Sequence, residues 1–324
     1  MHYLYFYDLL VKALHSTMDN DKAKAETYHV PVMPGECLEG LDIKPDGIYA
    51  DMTFGGGGHS SLIVSRLSER GHLYGFDRDA DSEANAIDDA RFTFVRSDFR
   101  YLANFMRYYG VDSLDGVLAD LGVSSHHLDD EGRGFSFRYE ADLDMRMNTR
   151  GGMTAADVLN TYDEERLAAV LRNYGEVKSA GRIARAVAQA RAHRRLSGVA
   201  DFLEVLRPIV PPFAEHKELP KIFQALRIEV NDELGSLRDM LAAAIRLLKP
   251  GGRLVVMTYH SLEDRIVKNF IKAGNADGSV EKDFFGRTRT TLRPVNTRVV
   301  VPSDEEVERN PRSRSAKLRV AEKL

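Results

Sequence analysis

The sequence predicts an α/β fold, a doubly wound parallel sheet interrupted by an inserted all-helical domain. Three observations predict it. From Gly47 to about Leu121, apolar strand patterns alternate with helical patterns across short connections, the mark of repeated βα units. From about Asp129 to Pro220, helical patterns continue with no convincing strand. From Asp232 onward, a helix and a near-continuously apolar strand resume the first rhythm.

The elements follow in order. GIYADMTF reads as the first strand, and HSSLIVSRLSER as a helix stopped by Gly71. HLYGFD is a second strand ending at Asp77, ADSEANAIDDA a helix, and RFTFVRSDF a third strand. RYLANFMRYYG is a helix closed by Gly110, and DGVLADLG a fourth strand. In the insert, Thr161–Glu164 has the form of a capping box opening DEERLAAVLRNYG. Helical patterns follow at Ser179–Arg195 and Asp201–Ile209, the latter stopped by Pro211-Pro212. Asp232–Leu248 places Leu234, Leu237, Met240, Leu241, Ile245 and Leu248 on one face, and Lys249-Pro250-Gly251-Gly252 stops it. RLVVMTYH is the fifth strand, and Thr291–Val301 with Ser315–Ala321 would supply a closing antiparallel pair. The expected division is 1–28 as an N-terminal extension, poorly ordered or a docked helix, 29–128 with 221–324 as the sheet domain, and 129–220 as the helical domain.

Composition sets the bounds. The 324 residues suffice for one large domain or two ordinary ones, with the 43% apolar and 29% charged content of a globular protein. One cysteine, Cys37, excludes an intrachain disulfide, and no Cys/His cluster has zinc spacing, so no metal is expected and the compartment reads as the reducing cytoplasm. No apolar run is long enough to span a bilayer, so no membrane partner is expected. The aromatic leader lacks a basic start and a cleavage site, which argues against a signal peptide, and Met18 is an alternative initiator. The net charge of −4 argues weakly against general nucleic-acid binding. Yet Lys178–Arg195 carries six Lys/Arg and no acid, Gly286–Val300 four, and Asn310–Leu324 five against one Glu. Any one such stretch is as readily a solvated face; three in an acidic chain point toward a polyanionic partner.

The chemistry concentrates at DMTFGGGGHS, Asp51–Ser60. Four consecutive glycines between a strand and a helix let backbone approach a ligand. Asp77, twenty residues past Gly57, ends the next strand, where a carboxylate takes a ribose diol. Either a nicotinamide cofactor or S-adenosylmethionine presents such a diol. The dehydrogenase fingerprint fails at its third glycine, where Ser60 stands. Asp51 and Asp120 near strand ends suit a sulfonium better than a pyrophosphate. The strand order, with a closing antiparallel pair, is that of a methyltransferase-type sheet.

Together with HVPVM at His29–Met33, DRD at Asp77–Asp79, DLGVSSHHLD at Asp120–Asp129, RGFSF at Arg133–Phe137, LDMRM at Leu143–Met147, FQALRIEVNDEL at Phe223–Leu234, YHSLEDRIVK at Tyr259–Lys268 and NPRSRSAKLR at Asn310–Arg319, this segment resembles the bacterial 16S rRNA (cytosine-N4) methyltransferase family, RsmH/MraW. The resemblance covers nearly the whole chain from His29. It implies a Rossmann-like S-adenosylmethionine-dependent methyltransferase sheet. The implied activity is methyl transfer to the exocyclic N4 of a cytidine in the decoding centre of 16S rRNA, within the assembled small ribosomal subunit. The family pattern places cofactor contacts at Gly57, Gly58, His59, Asp77, Phe99, Asp120 and His127. Relatives often carry Pro-Gln where this chain has His126-His127; a histidine can still donate there, and a solvated loop residue is the lesser alternative for His127.

Two catalytic candidates follow. Asp120, or carbonyls beside it, polarises the amine or touches cofactor only. His260 is a general base by position, or else orients RNA or caps the Glu263/Asp264 helix. Arg133, Phe135, Arg146, Arg227 and Arg265 are candidates for phosphate and stacking contacts to RNA, with structural ion pairs the alternative for the arginines. The rivals are a methyltransferase acting on DNA cytosine or a protein amide, and a ribosome assembly factor using cofactor only structurally. Monomer and homodimer both remain open.

Overall fold

The computed structural model describes residues 31–122, 132–280, 290–296 and 298–324. The 1–28 extension and His127 lie outside the described residues. Seven strands form one sheet in the order β3-β2-β1-β4-β5-β7-β6. These are β1 Ile48–Asp51, β2 His72–Asp77, β3 Phe92–Arg96, β4 Leu114–Asp120, β5 Leu248–Thr258, β6 Leu292–Pro294 and β7 Lys317–Lys323. β1 to β5 are mutually parallel, and β7 pairs antiparallel with both β5 and β6. The expected α/β sheet with an antiparallel closing pair is therefore present.

Alternation along the strands builds two cores, because successive side chains leave opposite faces. Ala50, Met52, Val117, Ala119, Leu254 and Val256 pack on one face. There they meet α3 (Leu102–Tyr108), α9 (Glu233–Leu247) and α10 (Ser261–Ala273). Tyr49, Leu118, Val255 and Met257 pack on the other, beneath α1 (Pro34–Leu41) and α2 (Gly58–Val64). Helices on both faces are what a doubly wound sheet requires.

Between β4 and α9 the described residues carry the helices α4 Ala155–Thr161, α5 Glu164–Gly175, α6 Ala180–Arg191, α7 Val199–Leu206 and α8 Glu215–Asn231. This stretch buries its own apolar cluster, from Phe135 and Leu143 through Leu159, Leu171, Ile183 and Phe202 to Phe223 and Leu226. The expected boundary after residue 220 falls inside α8, whose Ile222, Phe223 and Leu226 belong to that cluster. Asp232, left-handed with φ 45°, ends α8 and opens α9.

Three local expectations are corrected. The cap foreseen at Thr161–Glu164 does not form. Thr161 Oγ1 donates to Asp157 O, Asp163 caps α5, and the capping box is Thr154/Asp157 at the start of α4. The helix expected over ADSEANAIDDA is one 3-10 stretch, Asp81–Asn85, with no buried residue to hold a longer helix. The loop at Lys249–Gly252 ends α9 as expected but sits within β5. Leu114 pairs with Leu248 and Gly116 with Arg253, a bulge that absorbs the extra residues. Among the described residues no helix is long and apolar enough to cross a membrane.

Candidate active site at the carboxyl edge of the sheet

Strand order reverses direction between β1 and β4, so a crevice opens outside their carboxyl ends. The cofactor candidates gather on that edge. Asp51 ends β1, Gly57 and Gly58 enter α2, Asp77 ends β2, Phe99 follows β3 and Asp120 ends β4. The sequence spacing placed each at a strand end, and parallel pairing carries them to one side.

The glycine loop is tied to the second strand. Gly55 N donates to Asp77 Oδ2 at 2.8 Å, and Asp79 N donates to Oδ1 at 2.8 Å. Each glycine has its own reason. Gly57 is left-handed with φ 77°, and a Cβ there would meet the Phe54 ring at 3.0 Å. A Cβ on Gly58 would meet the Pro31 ring at 3.0 to 3.3 Å, so Gly58 makes room for protein, not for open space. A Cβ on Gly56 would meet nothing within 4 Å. Phe99 is half-buried and opens a short turn capped by Asp98, whose side chain accepts from Arg100 N.

Asp51 is fully buried; its Oδ2 accepts from Ser60 Oγ at 2.7 Å and its Oδ1 from Thr53 N at 3.1 Å. Burial raises its carboxyl above the usual range, opposed by His59 and the Ser60 hydroxyl. Asp120 accepts from the Tyr259 hydroxyl at 2.8 Å on Oδ1, and His59 Nδ1 stands 3.9 Å from Oδ2. Burial pushes Asp120 up to about 6, with His59 and Tyr259 pulling the other way. His59 Nε2 lies 2.9 Å from Val32 O; a carbonyl only accepts, so the ring carries its proton there. His59 thus clasps the segment before α1 onto the glycine loop.

His260 takes its capping alternative. Nδ1 accepts from Glu263 N at 3.5 Å, Nε2 lies 3.1 Å from Glu263 Oε1, and Glu263 Oε2 accepts from Tyr259 N at 3.0 Å. Although Nε2 is this near to Oε1, the geometry is not that of a hydrogen bond, and among the described residues Nε2 is buried without a hydrogen-bond partner. Glu233, His260 and Glu263 each bring one ligand atom within 4.8 Å of the others. Arg227 answers that negative charge, donating Nε to Glu233 Oε1 at 2.7 Å and Nη2 to Oε2 at 2.9 Å.

The RNA candidates divide. Arg227 is committed to Glu233, and Arg146 pairs bidentately with Asp144 at 2.7 and 2.8 Å. Arg133 bonds Asp79 at 2.9 Å and the carbonyls of Arg146 and Met147. Its guanidinium also lies 5.5 Å from the ring centroid of Phe135, which is buried in the helical cluster. Arg265 alone of the five is exposed and makes no ion pair among the described residues. The basic run at Lys178–Arg195 is likewise partly spent. Arg191 bonds the carbonyls of Leu159 and Tyr162, Arg194 pairs with Glu204, and Arg195 pairs with Asp157.

Tyr259 was missed. Its signal was its place two residues past Met257, which pairs in register with Asp120 across neighbouring parallel strands.

The chain has close relatives. The MraW methylase family model matches residues 26–324. The ribosomal RNA small subunit methyltransferase H of Parabacteroides distasonis is 62% identical over 302 residues, 93% of this chain and 99% of its own. That of Phocaeicola vulgatus is 61% identical over 298 residues, 92% of this chain and 98% of its own. Among solved structures, a methyltransferase homologue from Pyrococcus horikoshii is similar at 13% identity over 98% of this chain and 82% of its own, with a TM-score of 0.44, too distant to bear on function. Matched over nearly its full length, the chain belongs to the MraW methylase family.

Proposed function

We propose that the protein transfers a methyl group from S-adenosylmethionine to the exocyclic N4 of a cytidine in the decoding centre of 16S rRNA, acting in the cytoplasm on the small ribosomal subunit. The observation that carries this reading is family membership over residues 26–324, shared with relatives named as small-subunit rRNA methyltransferases.

The residues at the sheet edge fit the cofactor. Three carboxylates, Asp51, Asp77 and Asp120, end neighbouring strands around a loop whose Gly56 faces open space. That charge suits a sulfonium and an amino-acid tail and disfavours a pyrophosphate. Asp77 would hold the ribose diol, Phe99 would wall the adenine, and the Gly57, Gly58 and His59 segment would cradle the methionine tail. When bound, S-adenosylmethionine supplies an electrophilic methyl group on a positively charged sulfur.

The chain's own task is to present the amine. The N4 lone pair is conjugated with the cytosine ring and is a poor nucleophile. A carboxylate accepting a hydrogen bond from N4 localises that lone pair and fixes its direction. Asp120 is the candidate, and it must be ionised to do so. Orientation of this kind can be worth about 7–11 kcal/mol. The methylated amine is acidic enough to lose its proton to water, so the commitment of His260 to its cap removes nothing the reaction needs. A structured RNA must turn its cytidine out of the stack to reach this edge. We assign recognition of the surrounding RNA to the helical stretch between β4 and α9 and to Arg265 on α10.

The test is nucleoside mass analysis of small-subunit RNA after incubation with methyl-labelled cofactor, using subunits from cells lacking the enzyme. N4-methylcytidine at one position is the expected product. Label on DNA, on protein or on another base would overturn the reading.

A further inference from the structure

We propose that Tyr259 is a positioning residue for the methyl transfer, its hydroxyl holding the Asp120 carboxylate in one orientation and in the ionised state that accepts from the amine. The proposal rests on the role assigned to Asp120 above.

The geometry comes from the sheet. Asp120 pairs in register with Met257, and Leu121 N bonds Met257 O, so the chains leaving β4 and β5 run side by side. Two residues on, the Tyr259 ring lies against Gly122, whose φ of 119° and missing Cβ let the ring approach; a Cβ there would stand 3.0 Å from Cδ2. The backbone of Tyr259 is pinned from behind by Glu263 Oε2. Its hydroxyl is therefore aimed from a fixed base. Half-buried and donating at 2.8 Å, it is the hydrogen-bond donor to the Asp120 carboxyl among the described residues.

The other groups around Asp120 explain why a donor is needed. Asp51 on β1 and Glu263 on α10 are anionic neighbours that oppose its ionisation. The Cys37 thiol on α1 is buried close by and is itself pushed up by burial and by Asp120. His59 on α2 favours the ionised form, but at 3.9 Å its Nδ1 is beyond hydrogen-bond reach. A phenol hydroxyl donates to a carboxylate more strongly than to a carboxylic acid, so the Tyr259 bond selects the charged form.

The test is single-turnover methyl transfer at saturating cofactor and subunits, followed from about pH 5 to about pH 9. In the unaltered enzyme the rate rises with pH as Asp120 ionises. Tyr259→Phe keeps the ring and removes the donor. It is expected to move this limb up by about one pH unit and slow transfer roughly tenfold at the acid end, with cofactor affinity within about twofold. Fluorotyrosine at position 259, a stronger donor of nearly the same shape, moves the limb down. A uniform loss of rate with the limb unmoved, or no change, overturns the proposal. Asp120→Asn separates the two readings. If it keeps both rate and limb, the role of Asp120 fails. If it abolishes the limb while Tyr259→Phe leaves the limb in place, the positioning role alone fails.

Discussion

Acids at the sheet edge and acids at the junction with the helical stretch are held in opposite ways. At the edge, Asp51 and Asp120 are bonded by a serine, a backbone amide and a tyrosine, with His59 nearby and, among the described residues, no guanidinium paired with either. At the junction, Asp79, Asp144 and Glu233 are each met by an arginine: Arg133, Arg146 and Arg227. The Arg146 guanidinium holds Asp144 below the usual carboxylate range, whereas burial raises Asp51 and Asp120. A carboxylate held by arginine is a fixed charge, and the Arg227–Glu233 pair uses it to tie α8 to α9. One held by hydroxyls stays adjustable and leaves the local field negative, ready for a cation.

The largest test of this contrast is Arg227→Ala. It strands Glu233 beside Glu263 in a buried setting, and a loss of about 3–5 kcal/mol is expected in denaturant unfolding. Replacing Arg227 by Met and Glu233 by Leu together should recover most of that. If the single variant is as stable as the parent, the junction is not held by these charges.

Asp120→Asn should act in opposite directions on rate and stability. Transfer is expected to fall about a hundredfold or more in single turnover. Its folded pKa of about 6 lies well above that of an ordinary aspartate, so the folded protein binds the proton more tightly. The stability this gives is fully present below the unfolded pKa and is lost as pH rises through about 6. At pH 8 the neutral amide escapes that penalty, and unfolding should show a gain on the order of 2 kcal/mol. Equal stability at that pH would show that Asp120 is not strained by burial.

A smaller pair of variants separates the glycines. Gly58→Ala drives a methyl into the Pro31 ring and should cost about 1–3 kcal/mol in stability. Gly56→Ala meets no protein atom and should leave the melting midpoint unchanged while weakening cofactor binding in calorimetry. If both variants lose stability equally, Gly56 also faces protein. Smallest of all, Arg265→Ala should shift stability by less than about 0.5 kcal/mol and reduce the salt slope of RNA binding by roughly one.

How much the sequence revealed tracks how local each signal was. Strand-end acids and the glycine loop were legible because parallel strands must finish on one edge, and alternation locates their ends. The Thr161 cap misled because Thr154 and Asp157, seven and four residues earlier, form a competing box at the start of a short helix. α8 escaped notice because Pro220 lies inside it, a residue that reads as a break until packing of Leu219, Ile222 and Phe223 overrides it. The arginines show the limit most clearly. Residue type alone cannot say whether a guanidinium meets phosphate or Glu233, since the partner of Arg227 is fixed only when α9 turns back at Asp232. Tyr259 belongs to the same class, being a contact between two strands far apart in the chain.

The strand order also shapes how the protein is made. β7 lies between β5 and β6, although it follows both in sequence. As the chain emerges, β5 must wait with one edge unpaired until β6 and the segment after it have been synthesised. Val255 and Met257 meanwhile lack the cover of Leu318 and Val320, which complete their cluster. An apolar open edge is a template for pairing with another chain. The nascent protein is therefore most exposed to misassembly in the interval between translating residues 258 and 317, when the carboxyl edge of β1 to β5 is already in sequence but its sheet is not closed.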